Sequence, residues 1–205
     1  MNRENAKNSK NPIGSIKELK LILSNRTNGV VTIKPRVIFE FIEGKFNHPQ
    51  RFHMLFPSSK IGSVTTLEGS LICSLIMIRN PKTIFEFGTF LGYTSALMFL
   101  NSSSTSRLFT LDLPREKPDV AKLSQEINWN LIQTDDAYND MYLTQLSNEI
   151  GEYYLSDLVD NPRLQRIKQD SRNFKPESFD LINNVDFLFV DGGHTKPIVQ
   201  NDTDT

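Results

Sequence analysis

The sequence predicts an α/β protein built on a mainly parallel, doubly wound sheet. Three observations carry this: short apolar runs that read as strands, helical runs between them, and an acid at or near each strand's carboxyl end. Strands that alternate with helices imply right-handed crossovers, and open sheets of this kind bind ligands beyond the carboxyl ends of their strands.

Composition narrows the class. The chain has 205 residues, 38% hydrophobic and 23% charged, enough to bury a core, and its formal net charge of −1 offers no basic field. Neither nucleic acid nor an anionic membrane is expected as a partner. Cys73 is the single cysteine, so no internal disulfide can form and a reducing compartment is expected. The polar start MNRENAKNSKNPIGS lacks a signal-peptide core, and the apolar run LICSLIMI (71–78) is far short of the ~20 residues that span a bilayer. A soluble, cytoplasmic protein is the expectation, and the sequon at Asn25-Arg26-Thr27 is then a coincidence.

Residues 1–61 read as a polar tail and a helical cap, and 62–205 as the main domain. Ile16, Leu19 and Leu23 have helical spacing within 15–25, and NRTNG stops that helix. VVTIKPRVIFEFIEGKF (30–46) fits helix or strand, split by Pro35. HPQRFHMLFPSS (48–59) reads as an ordered loop, with His48 and His53 as ordinary loop residues. Thr65-Thr66-Leu67-Glu68 is a capping box that starts a helix with Leu67, Leu71, Leu75 and Ile78 on one face. Arg79-Asn80-Pro81 ends it. KTIFEF (82–87) is a buried strand, YTSALMFLN (93–101) a helix, and RLFTLDLP (107–114) a second strand. From Arg115 to Pro162 the chain is long for a crossover. It predicts a helix near 139–150 and an insertion acting as a lid, with Trp129 and Tyr138 packing against the sheet or, as the alternative, covering a substrate. RLQRIKQD (163–170) and VDFLFVDGG (185–193) complete the strands, the last expected to be buried on both faces.

The turn after the first strand, EFGTFLGYTS, poses the chemical question. Gly88 permits a sharp turn, Gly92 clears the start of the next helix, and amides there, with hydroxyls of Tyr93, Thr94 and Ser95, can hold an anionic group. The spacing is G-x-x-x-G, so the G-x-G-x-x-G of dinucleotide binders is absent. A plain structural turn accounts for it equally well. Asp112 at the end of the neighbouring strand is placed to accept from two ribose hydroxyls, and Asp170 and Asp191 recur at the third and fourth strand ends.

In order and spacing, KTIFEFGTFLGYTSALMFL, RLFTLDLP, RIKQDSRNF and VDFLFVDGGHTKPIVQNDTD resemble successive motifs of class I S-adenosylmethionine-dependent methyltransferases, which are Rossmann-like. The nearest likeness is to the bacterial small-molecule group (methyltransferase family 24-like) whose fourth strand reads D-G-x-H. The resemblance covers residues 62–205. It implies a methyl transfer from S-adenosylmethionine to a small-molecule acceptor, at an oxygen. Glu86, Gly88, Thr89 and Gly92 would form the methionine side, with Thr94 and Ser95 near its carboxylate. Asp112 would bind ribose, Asp170 and Ser171 would face adenine, Asp191 would sit beside the sulfonium, and His194 would face the acceptor. His194 is then the expected base and Asp191 an expected oxygen ligand for Mg²⁺, the other route to an activated hydroxyl. Gln169 and Thr195-Lys196-Pro197 depart from the group's usual glycine and aromatic–acid pair.

Members of this class carry further strands after the fourth. The chain therefore reads as C-terminally truncated, ending where the next helix starts, with the fourth strand an open apolar edge that a second copy or a partner chain would cover. A truncated fragment that binds the cofactor without turnover is the alternative, and a nicotinamide oxidoreductase a third reading.

Overall fold

A computed structural model describes residues 14–24, 32–46, 48–56, 62–115, 128–181 and 184–205. It divides into two compact units, Met1–Phe52 and His53–Thr205. In the first unit, α1 (Ile16–Ser24) and α2 (Pro35–Lys45) bury Leu19 and Val37, with Ile33 and Phe41 packed against them. Pro35 does not split its segment: it occupies the first turn of α2, where its missing N–H has no helical partner to lose.

The second unit carries the sheet. Its elements are α3 (Thr66–Arg79), β1 (Thr83–Phe87), α4 (Tyr93–Asn101), β2 (Arg107–Asp112), α5 (Trp129–Thr134), α6 (Asp136–Ile150), β3 (Leu164–Lys168), β4 (Phe187–Val190) and α7 (Lys196–Asp204). A 3₁₀ turn at Tyr153–Leu158 precedes β3, and two more, Ser171–Asn173 and Pro176–Phe179, lie between β3 and β4. The strands run parallel in the order β3-β2-β1-β4. The fold is α/β and Rossmann-like, as the sequence predicts.

Alternation along β1 sorts its side chains to two faces. Ile84 joins Ile72 and Ile76 of α3 and Ala96, Met98 and Phe99 of α4 in one core. Phe85 and Phe87 join Phe109, Leu111, Ile167, Phe174 and Leu181 in the other, where the Phe85 and Phe87 rings meet edge-on at 4.9 Å. Among the described residues, Phe174, Phe179 and Leu181, in and beside the two 3₁₀ turns between β3 and β4, pack on this second face.

Three expectations need correction. The capping box at Thr65 forms as predicted, the Thr65 amide donating to Glu68 Oε2 at 2.7 Å and the Glu68 amide to Thr65 Oγ1 at 3.3 Å. The buried face of α3, however, is Gly69, Ile72, Cys73 and Ile76, and Leu67 is 56% exposed. α3 is apolar nearly all round, so packing on α4 selects the face: a Cβ on Gly69 would lie 2.9 Å from Leu97. Next, β4 is not buried on both faces; as the end strand it leaves Leu188 52% exposed. Finally, residues NDTD close α7 instead of opening a helix. Among the described residues no helix is long and apolar enough to cross a membrane.

Gly88 fixes how β1 meets β4. Its φ is +91°, and a Cβ there would stand 2.0 Å from the Asp191 carbonyl oxygen, while a Cβ on Gly92 (φ +83°) would meet only Leu155 side-chain atoms, the nearest at 2.5 Å. Backbone cannot yield as a leucine can. Gly88→Ala is expected to lose at least ~2 kcal/mol of stability and Gly92→Ala less, both read by chemical denaturation. Equal losses would show that the β1–β4 approach is not the tighter constraint.

Candidate active site

The carboxyl ends of the four strands open on a cavity of about 190 Å³. Its lining includes Gly88, Asp112, Asp170, Ser171, Asp191 and His194, so the structure brings these expected site residues together. Glu86, Thr89, Gly92, Thr94 and Ser95 do not line it; all are buried in the β1–α4 turn behind it.

That turn is built around Glu86. The side chain is wholly buried on the α4 side of β1, and its Oε2 accepts from Ser95 of α4 and, at 2.6 Å, from Thr110 of β2. Thr110 also shares a 2.6 Å hydrogen bond with Thr89. One carboxyl thereby ties β1, β2 and α4. Its Oε1 is buried with no hydrogen-bond partner among the described residues. Burial pushes the Glu86 pKa up to about 8, with Asp191 and Asp112 adding repulsion and the two hydroxyl donors only partly offsetting it. A neutral carboxylic acid results at pH 7.

Asp112 ends β2 and holds the same turn from the cavity side. Its Oδ2 accepts the Phe90 amide at 2.9 Å and its Oδ1 the Leu113 amide at 2.9 Å. Phe90 has φ +49°, a left-handed conformation that costs ~1–2 kcal/mol in a non-glycine residue, and the Asp112 bond anchors it. Each Asp112 oxygen keeps acceptor capacity towards the cavity. Burial raises its pKa, against Lys168 and the two amides.

Asp170 caps the 3₁₀ turn after β3 and is gripped by Arg172, whose Nε donates to both its oxygens at 2.9 and 3.1 Å. The Arg172 hydrogen bonds hold the Asp170 pKa low. Asp191 follows β4, and burial raises its pKa against the opposing charge of His194, 3.9 Å away.

Sequence reasoning missed four charged residues of the lining: Asp140, Arg115, Arg172 and Asp202. Asp140 on α6 accepts from the His194 amide at 2.8 Å and pairs with His194 Nδ1 at 2.7 Å. Its sequence distance from His194 hides this. Arg115 lies 3.7 Å from Glu152, a 7%-exposed carboxylate that also binds Arg166 at 2.8 Å and Lys168. Burial pushes the Glu152 pKa up, but Lys168 and Arg166 outweigh it and hold the carboxyl low. Asp202 of α7 is 3% exposed, placed where a Cβ on Gly192 would come within 2.8 Å. Arg172 alone was within reach, two residues from Asp170. Of the segment from Arg115 to Pro162, expected to act as a lid, the described residues form α5, α6 and the 3₁₀ turn at Tyr153–Leu158, and 116–127 lie outside them. The Trp129 side chain also lies outside them.

Among the described residues, no three His, Cys, Asp or Glu side chains gather as a set able to hold a metal ion.

No family model and no curated protein matches the chain. Several solved structures match parts of the chain at low identity. The SAH-bound methyltransferase PaMTH1 of Podospora anserina is 16% identical, with a TM-score of 0.43 over 96% of this chain and 67% of its own. The Bacillus cereus O-methyltransferase in complex with SAH is 16% identical, with a TM-score of 0.34 over 77% and 53%. The Streptomyces achromogenes O-methyltransferase TomG, involved in tomaymycin synthesis and in complex with SAM, is 16% identical, with a TM-score of 0.31 over 70% and 67%. The chain thus spans from about half to two thirds of the length of these proteins.

The buried acid gives a pH dependence of defined sign. Between the ordinary value of 4.5 and about 8, folded Glu86 keeps a proton that the unfolded chain releases, so its contribution to stability falls as pH rises through that window. The slope approaches ~1.4 kcal/mol per pH unit for one proton. Glu86→Gln, which mimics the neutral acid, is expected to flatten the wild-type decline between pH 5 and 8 in urea titrations. Parallel pH profiles for the two proteins would show that Glu86 ionises normally.

Proposed function

We propose that this chain binds S-adenosylmethionine in the cavity and transfers its methyl group to an oxygen of a small-molecule acceptor. One observation carries the reading: the cavity beyond the parallel strands is lined by five aspartates (112, 140, 170, 191 and 202) against two arginines, one already locked to Asp170. Such a wall favours a cation, and the sulfonium is a cation with a nucleoside attached. The residues fit the rest of that molecule too. Asp112 retains acceptor capacity for ribose hydroxyls, and Phe87, Leu111 and Leu113 supply apolar surface beside it. The order of the strand-end motifs supports the same assignment.

In this reading Gly88 forms the methionine side, and Glu86, Thr89, Gly92, Thr94 and Ser95 act from behind by holding that turn in shape. Asp170 and Ser171 face adenine, Asp191 the sulfonium, and His194 the acceptor. The cofactor supplies a methyl group already activated by positive sulfur, so alignment is most of what the chain must provide. About 190 Å³ is below the ~300 Å³ lower end of common ligand sites, so cofactor and acceptor together require the walls to widen.

Calorimetric titration with S-adenosylhomocysteine and, separately, NAD tests the cofactor. The first should bind and the second should not, and Asp112→Asn should weaken binding roughly tenfold to a hundredfold, the ~1.5–3 kcal/mol of hydrogen bonds to a charged group. NAD binding alone, or unchanged affinity in a folded Asp112→Asn variant, would remove the assignment. Binding with no transfer to any hydroxyl acceptor would leave a cofactor-binding protein.

A further inference from the structure

Two groups on the ring and backbone of His194 converge on one carboxylate. Asp140 Oδ2 accepts the His194 amide at 2.8 Å while Oδ1 meets Nδ1 at 2.7 Å. The approach is close because residue 193 is glycine: a Cβ there would lie 3.3 Å from Asp140 Oδ2 and 2.8 Å from Ile198. α6 is itself set in place by Asp135, which caps it by accepting the Tyr138 amide at 3.0 Å. An ionised carboxylate only accepts hydrogen bonds, so a neutral imidazole facing it must carry its proton on Nδ1. Nε2 is then left with a lone pair, on a ring that lines the cavity, 3.9 Å from Asp191 Oδ1. A carboxylate that served only to pin the loop would need the amide alone. Gripping both the amide and Nδ1 fixes the position, plane and tautomer of the ring together.

We infer that Asp140 is a positioning residue that sets His194 as an Nε2 proton acceptor, and that the acceptor substrate is a neutral hydroxyl compound. The substrate half rests on the methyl-transfer reading; the tautomer half does not. The step balances. The hydroxyl O–H bond breaks and its proton goes to Nε2, the oxygen takes the methyl carbon, and the electron pair of the breaking carbon–sulfur bond stays on sulfur. One positive charge disappears from sulfur and one appears on the imidazolium, between Asp140 and Asp191.

The test is ¹⁵N NMR of the imidazole in the full chain. Neutral wild-type His194 should show Nδ1 protonated and Nε2 bare. Asp140→Asn, whose amide can donate to Nδ1, should move the proton to Nε2, and Asp140→Glu should restore the wild-type pattern. In turnover, Asp140→Asn should lower kcat by ~10²–10⁴ with S-adenosylhomocysteine affinity and KM little changed, the range for a misdirected base. An Nε2-protonated wild type, or a tautomer indifferent to folded Asp140 variants, overturns the inference. The expected tautomers with no methylated hydroxyl acceptor would support the positioning and sink the methyl-transfer reading instead.

Discussion

At the carboxyl end of β1 the main chain passes so near the Asp191 carbonyl that a single added carbon has nowhere to go. Most of the site's layout depends on that contact. It lets β4 run beside β1 in register, Glu86 opposite Phe189, so that the residue after β4 arrives next to the turn after β1. Asp112 arrives from the other side, because Glu86 pairs equally with Thr110 in β2. Three strand ends therefore share a rim, and two of them place a carboxylate in one cavity, where desolvation raises the pKa of Asp112 and Asp191 alike. Like charges that close are costly unless something positive or donating stands between them, and here the donors are backbone amides, Arg172 and the His194 ring.

The acid and the glycines of the β1–α4 turn answer to separate demands. Glu86 is an internal tie between two strands and a helix, and its burial makes it neutral. Gly88 serves a backbone crossing, while Gly92 serves the packing of Leu155. A motif that reads as one ligand-binding loop is therefore three structural solutions in a row, and only Gly88 of that set reaches the cavity wall.

The sheet was legible because its signals are local. β1, α4, β2 and β3 follow from apolar runs bounded by polar turns, and the α3 start from a capping box whose donors and acceptors lie three residues apart. What failed was relational. The buried face of α3 could not be read from a helix apolar on nearly every side, since Gly69 against Leu97 decides it. β4 stands at the open edge the sequence predicts, but how far each of its faces is covered depends on what packs there, and Leu188 is left exposed. Asp140 is the clearest case: one of two aspartates on a polar helix, made distinctive only by a partner 54 positions later.

The D-G-G loop after β4 folds against its own sequel. The space a side chain would take at Gly192 is filled by the Asp202 carboxylate, and that at Gly193 by Ile198. Each glycine and its occupant share one volume, so their substitutions interact rather than add. A bulkier residue at 192 becomes admissible only with a shorter one at 202, and the same exchange links 193 to 198. Drift in this loop must proceed by matched pairs, with α7 recording whatever the loop has changed.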